Sequence, residues 1–141
     1  MDRFNLSELG LLLRSVEGFS RLSEELLRVT HVRGTAQKDI PVIRGVSLTL
    51  QVDESGGFGL EDTEVRGGAE YSFAGNPAYM EAAETVANHF SVGFGGQNNC
   101  QYFLFKPKTL NDLRLGIPRV ADAQQYFGER MEKEAARISG V

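Results

Sequence analysis

The feature that most constrains this chain is the alternation of apolar and polar residues in VSLTLQVD, residues 46–53. A period of two places every apolar side chain on one side of an extended segment, so the pattern predicts a strand with one buried face. ESGG follows at 54–57, and its two glycines are typical of a turn because they supply positive φ angles without steric cost. We therefore predict an antiparallel hairpin whose second strand covers residues 58–65.

The N-terminal segment has the spacing of an amphipathic helix. Between residues 5 and 29, large apolar side chains recur every three or four positions and form one stripe. Asn5 followed by Glu8 matches a capping box and marks the start of the helix. Gly18 weakens a helix by roughly 1 kcal/mol relative to alanine. The pattern therefore fits either one long helix or two helices with a break near Gly18.

Two further helices are predicted later in the chain. Asn76 suits an N-cap, and Pro77 suits the first helical position, where its missing N–H is not needed. TLND at 109–112 is predicted to cap a single helical turn, and Pro118 is predicted to open the C-terminal helix.

The remaining elements complete an α+β pattern. Alternation at Ala69, Tyr71 and Phe73 predicts a third strand, CQYFLFK at 100–106 predicts a central strand, and GFGG at 93–96 predicts a loop. The expected architecture is a small, mostly antiparallel sheet with an N-terminal helix, a central helix and a C-terminal helix packed on one face. A length of 141 residues fits a single globular domain, residues 1–141.

Composition argues against several classes of function. A net charge of −4 and a pI near 5.2 argue against general nucleic-acid binding, which usually needs a basic surface. The longest aliphatic runs are far too short to span a bilayer, so no membrane contact is expected. The single cysteine, Cys100, allows no internal disulfide, and its distance from the two histidines predicts no metal site. We expect a cytoplasmic protein without a cofactor.

Cys100 and His89 are a candidate nucleophile and base. A nucleophilic cysteine needs a lowered pKa and a hydrogen-bonded partner. The alternative is that Cys100 begins a buried strand and behaves as a small apolar residue. No local signature supports catalysis, so no catalytic residue is assigned.

The segments HVRGT at 31–35 and YSFAGNPAYMEAA at 71–83 together resemble ADP-ribosyltransferases. That family places an Arg-Gly or His-Gly element on an early strand to hold NAD, and a serine-bearing strand leads into a helix. The resemblance covers under half of the chain and implies a nucleotide-binding enzyme, or a degenerate one, with Arg33 and Ser72 in these roles. The family also has a late glutamate at the start of a strand, whereas every glutamate after Ser72 here falls on a predicted helix.

Charge is segregated along the chain. Residues 53–84 carry eight acids and one base, whereas residues 28–45 and 101–119 each carry four bases and one acid. A field of one sign speeds the encounter with a partner of opposite sign. The leading hypothesis is a non-enzymatic protein-binding module, an adaptor, inhibitor or immunity-like protein, whose acidic hairpin meets a basic partner surface. The candidate contacts are Asp53, Glu54, Glu61, Asp62 and Glu64.

Two alternatives stay open beside this hypothesis. In the first, the acids lie along a sheet edge and serve only to keep that edge from pairing with other chains. The leucine-rich stripe of the N-terminal helix either covers the sheet of its own domain or forms a symmetric contact between two copies. In the second case the chain is a structural subunit of a homo-oligomeric assembly.

Overall fold

The structure is a computed structural model that describes residues 3–19, 27, 34–68, 77–97 and 100–139. Three helices have defined bounds within these residues: α1 (Leu6–Arg14), α2 (Pro77–Phe90) and α3 (Leu110–Ser139). Seven strands and one 3-10 turn complete it: β1 (Arg3–Asn5), β2 (Ala36–Ile43), β3 (Val46–Val52), β4 (Gly57–Gly59), the 3-10 turn (Leu60–Asp62), β5 (Glu64–Gly68), β6 (Gly93–Gln97) and β7 (Cys100–Phe105).

The strands form two separate antiparallel sheets. The larger has five strands in the order β2-β3-β5-β7-β6, and the smaller pairs β1 with β4. Every neighbouring pair in the larger sheet is antiparallel. The predicted α+β class with an antiparallel sheet is confirmed.

One face of the larger sheet carries the core. The apolar positions of the alternating segment, Val46, Leu48, Leu50 and Val52, are all fully buried in β3, as the period of two predicts. Helix α3 packs closely on this face. A Cβ built on Gly67 of β5 would lie 2.7 Å from side-chain atoms of Val120 and Gln124 in α3. Glycine at this position therefore sets the distance between the helix and the sheet.

Helix α1 begins as predicted and ends early. Asn5 is its N-cap, and the side-chain oxygen of Asn5 accepts a hydrogen bond of 2.8 Å from the Glu8 amide. The helix ends at Arg14, four residues before Gly18, so the possibility of one long helix over 5–29 is wrong. Val16 and Phe19 of the predicted stripe lie after the helix and pack on the core, and Leu27 is helical and buried. The other residues between 20 and 29 lie outside the described residues.

Helix α3 begins earlier than Pro118, so the prediction that this proline opens the helix is wrong. A capping box starts the helix instead: the Asp112 amide donates to Thr109 Oγ1 at 3.0 Å, and the Thr109 amide donates to Asp112 Oδ2 at 3.1 Å. Pro118 therefore lies inside one continuous helix. Leu113 and Ile117, just before the proline, are fully buried, and this burial offsets the cost of an interior proline.

The hairpin prediction is also wrong over residues 58–63. After the turn that follows β3, the chain leaves the larger sheet, pairs as β4 with β1, and forms the 3-10 turn. It returns as β5, whose Val65 lies opposite Leu48 of β3.

The predictions for the remaining strands have different outcomes. The GFGG segment is part of strand β6 rather than a loop, and no strand was predicted where β2 lies. The strand predicted at 100–106 is confirmed as β7, which lies between β5 and β6. The strand predicted over 69–73 falls outside the described residues.

Candidate functional site

The five predicted contact residues lie at one end of the larger sheet. Thr49 of β3 is paired with Glu64 of β5, so the end of β3 and the start of β5 are at the same end. Between residues 53 and 64 there are five acids and no base. We name this region the acidic end and define it by Asp53, Glu54, Glu61, Asp62 and Glu64.

Asp53 organises the turn that follows β3. Its Oδ1 accepts hydrogen bonds from the Ser55 hydroxyl at 2.6 Å, from the Ser55 amide at 2.9 Å and from the Gly57 amide at 2.9 Å. Its Oδ2 accepts a hydrogen bond of 2.5 Å from the Arg3 guanidinium. The Ser55 hydroxyl, the Gly57 amide and Arg3 hold the pKa of this carboxyl well below its usual range. Asp53 therefore supports the turn and ties it to β1.

Glu54 also has a structural partner. Its Oε1 accepts a hydrogen bond of 2.8 Å from the backbone amide of Gly34, which precedes β2. Gly34 has a φ of +69°, a left-handed conformation that glycine adopts without strain. The Glu54 carboxylate thus joins the turn after β3 to the segment that leads into β2.

Glu61 and Asp62 are presented differently. Both lie on the 3-10 turn and are exposed, and neither forms an ion pair or side-chain hydrogen bond within the described parts of the chain. The turn that carries them is firmly held, because the buried hydroxyl of Thr63 donates to the Gly59 carbonyl at 2.8 Å. A Cβ built on Gly59 would lie 2.5 Å from Glu61 Oε1, so glycine makes room for this carboxylate. Within the part of the chain that the structure describes, these are the two carboxylates of the acidic end without a bound partner.

Glu64 belongs to the face of the sheet opposite α3. Its Oε1 accepts a hydrogen bond of 2.7 Å from Nε of Arg66, and the Arg66 guanidinium lies 4.8 Å from the centre of the Tyr102 ring. Burial lowers the pKa of Arg66, but the hydrogen bond and charge of Glu64 outweigh it and raise the pKa overall. The Glu64 carboxylate is therefore neutralised by a cation of its own strand.

The prediction that these acids line an edge of the sheet is wrong. Strand β5 lies between β3 and β7, and Glu61 and Asp62 precede it on the 3-10 turn. The chain leaves the sheet after β3 because Phe58 of β4 is fully buried, against the ring of Phe4 in β1 at 6.1 Å between centroids. This detour separates the free acids from the strand itself.

Sequence reasoning missed the cations that neutralise two of the acids. Arg3 lies fifty positions from Asp53 in the chain, and no local pattern indicates their contact. The pair of Glu64 and Arg66 did have a signal, since residues two apart on a strand share a face. Thr49 belongs to the same polar face, where its hydroxyl donates to Asp39 Oδ1 at 2.9 Å.

The residues of the nucleotide-binding and cysteine-nucleophile hypotheses lie in separate parts of the sequence. Arg33 and Ser72 lie outside the described residues. The later glutamates lie on helices α2 and α3, as the sequence predicted. The His89 ring packs on Phe90 at 5.0 Å and Tyr126 at 6.4 Å between centroids, and Cys100 begins β7.

The comparisons and the search for other sites give negative results. Comparison of the chain with protein-family models, with curated proteins and with solved structures finds no match. Among residues that the structure describes, no group of three or more histidine, cysteine, aspartate or glutamate side chains is arranged to hold a metal ion. In the same residues, no helix has both the length and the apolar character needed to cross a membrane.

Proposed function

We propose that the chain is a non-enzymatic protein-binding module of the adaptor, inhibitor or immunity type, and that its acidic end meets a basic partner surface. One observation carries the proposal: Glu61 and Asp62 are exposed without a cationic partner in the described residues, on a turn that buried groups hold in place. A turn whose backbone is already ordered loses little conformational freedom when a cation binds the carboxylates that it carries.

The carboxylates of the acidic end have different structural roles. Asp53 and Glu54 fix the turn, and Glu64 is paired with Arg66. Glu54 is bound by a neutral amide, so its charge adds to the field around Glu61 and Asp62, whereas Arg3 and Arg66 offset the charges of Asp53 and Glu64. A partner with several lysines or arginines would therefore associate faster and with strong salt dependence. The proposal includes a cytoplasmic location, which the single cysteine supports.

A charge-reversal experiment tests this proposal. The variant carries Glu61→Lys and Asp62→Lys, and the matched control carries Glu81→Lys and Glu84→Lys on α2, where both residues are exposed. The two variants have the same net charge, so they differ only in the location of the change. The free energy of unfolding of both variants should stay within about 0.5 kcal/mol of the wild-type value, because exposed substitutions have small effects.

The readout is association with proteins of the source organism. Proteins captured from extract by the wild type are identified, and each is then measured separately for its association rate at two salt concentrations. We expect at least one partner whose association slows about tenfold with the Glu61 and Asp62 reversal, while the Glu81 and Glu84 control leaves it unchanged. If every captured protein responds equally to the two variants, the acidic end is not a binding surface.

A homo-oligomer through α1 receives less support from the packing. The helix buries Leu6, Leu9 and Leu13 in the core of its own fold, although Leu11 is 67% exposed. Light scattering of the purified chain measures self-association directly. A nucleotide-binding role for Arg33 and Ser72 is tested by thermal shift with NAD, because a ligand at a hundred times its Kd stabilises a fold by about 2.7 kcal/mol.

A further inference from the structure

A cleft of about 610 Å³ lies beside the tip of the β2–β3 hairpin. Its walls come from the turn that follows α1, from Ile43 and Arg44 at the hairpin tip, and from the first three turns of α3. The hairpin tip is at the opposite end of β3 from Asp53, a separation of roughly 20 Å at the rise of an extended chain. The cleft is therefore distinct from the acidic end, and its volume falls in the usual range of small-molecule sites.

Arg44 is held rigidly at the edge of this cleft. Its backbone has a φ of +39°, a left-handed conformation that costs an arginine about 1 kcal/mol or more. Its guanidinium donates to Asp122 Oδ1 at 3.1 Å and to Gln125 Oε1 at 2.8 Å, both on α3. These contacts fix the hairpin tip against α3, and Asp122 neutralises the Arg44 charge.

Two other charges in the cleft are not neutralised. Arg114 donates to the neutral amide oxygen of Asn111 at 2.7 Å, and it forms no ion pair within the described residues. Glu17 also lines the cleft, and it forms no ion pair with Arg114 or with another described cation. Among the described residues, the cleft is thus lined by one cation, Arg114, and one anion, Glu17, that form no ion pair.

The walls supply two more recognition elements. Leu115 is 48% exposed at the mouth of the cleft, and Val16 and Pro118 also line it, so a ligand with an apolar part would gain buried area there. Pro118 has no N–H to donate to the carbonyl of Arg114, one turn earlier in α3. This carbonyl lacks its intrahelical donor and is an acceptor for an N–H of a ligand.

From this combination we infer that the cleft binds a free α-amino acid with a large apolar side chain. Arg114 pairs with the ligand carboxylate, Glu17 pairs with the ligand ammonium group, and Leu115 covers the ligand side chain. A simple carboxylate would leave Glu17 unpaired beside a second anion, and a simple amine would leave Arg114 unpaired. A zwitterion pairs with both exposed side chains at once, whereas a ligand with a single charge pairs with only one of them.

Three small molecules with the same ring test the assignment by isothermal titration calorimetry: L-phenylalanine, 3-phenylpropanoate and 2-phenylethylamine. The wild type is expected to bind L-phenylalanine about tenfold more tightly than either compound that lacks one charge, because each charge-assisted contact is lost in turn. Equal binding of all three compounds, or no binding of L-phenylalanine at millimolar concentration, overturns the inference.

Two variants and one control test which residue binds each charge of the ligand. With Glu17→Gln, the preference for L-phenylalanine over 3-phenylpropanoate should disappear, and with Arg114→Gln the preference over 2-phenylethylamine should disappear. The matched control is Arg130→Gln, an exposed arginine sixteen positions further along α3, which should leave all three affinities unchanged. An equal loss of all ligands in the Glu17 and Arg114 variants shows general disruption and contradicts the inference. The Glu61 and Asp62 reversal should not alter this binding, so the two sites fail or succeed separately.

Discussion

Two glycines of helix α3 allow the packing of that helix to be tested with one substitution made twice. Gly116 is buried, and a Cβ built on it would lie 2.3 Å from Cδ1 of the Phe105 ring in β7. A Cβ built on Gly128, in the same helix, meets nothing within 4 Å. Replacing each with alanine therefore gives the same gain in helix propensity but a different steric result.

The expected magnitudes follow from these contacts. Glycine to alanine in a helix interior stabilises by about 1 kcal/mol, and Gly128→Ala should show this full gain. Gly116→Ala has the same gain, but the forced contact with Phe105 costs about 1–3 kcal/mol, as other overpacked sites do. The Phe105 ring is not free to turn away without loss, since the Arg119 guanidinium lies 5.7 Å from its centre. The two variants should therefore differ by about 1–3 kcal/mol, with Gly116→Ala the less stable.

Urea unfolding followed by circular dichroism measures the difference, and thermal unfolding should separate the variants by roughly 3–4 °C per kcal/mol for a chain of this size. Adding Phe105→Ala to both variants provides the control, because removal of the ring should bring Gly116→Ala back to the gain shown by Gly128→Ala. If Gly116→Ala and Gly128→Ala stabilise the chain equally, α3 does not approach β7 at Gly116, and the packing described above is incorrect.

Two further predictions concern Asp53 and Pro118. The pKa of Asp53 is lower in the folded chain than in the unfolded chain. The ionised carboxylate therefore stabilises the fold at pH values above its unfolded pKa of about 3.9, and this contribution is lost as the pH falls through the lower folded pKa. Asp53→Asn should therefore be less stable than the wild type in urea at pH 7, and the difference should shrink below about pH 4; a difference that is constant between pH 7 and pH 3 contradicts this role. Pro118→Ala restores an N–H donor for the Arg114 carbonyl and should stabilise the chain by about 1–2 kcal/mol in the same urea assay. This gain is smaller than the ~3 kcal/mol by which alanine exceeds proline in the interior of a peptide helix, because the packing contacts of the proline ring are lost. Destabilisation by this substitution would show that the ring packing outweighs the backbone cost.

Local patterns predicted the elements whose burial follows a regular period. The alternation in β3 is matched by its burial, because each apolar side chain meets the core on the face under α3. The capping box at Asn5 predicted the start of α1, since its hydrogen bonds involve neighbouring residues only. These elements depend on contacts that the sequence places close together.

Elements that depend on distant contacts were missed. Pro118 indicates a helix start by local preference, but burial of Leu113 and Ile117 against the sheet keeps the helix continuous through it. The glycines of β6 indicate a loop by composition, yet Phe94 lies opposite Phe103 of β7, and their rings pack at 5.3 Å between centroids. In both cases tertiary packing overrides a local preference, and no pattern within the segment reveals the partner.

The pairing of charges at the acidic end likewise depends on contacts that the sequence does not show. Five acids within twelve positions predict one strongly negative surface, because a sequence does not show which carboxylates have partners. The fold divides them: Asp53 is bound by Arg3 and by turn amides, Glu54 by the Gly34 amide, and Glu64 by Arg66. Among the described residues this leaves Glu61 and Asp62 without a bound partner, so the proposed contact depends mainly on two carboxylates rather than five. A partner surface that fits this site therefore needs two closely spaced cations, and reversal of Asp53 or Glu64 would act on stability before it acts on binding.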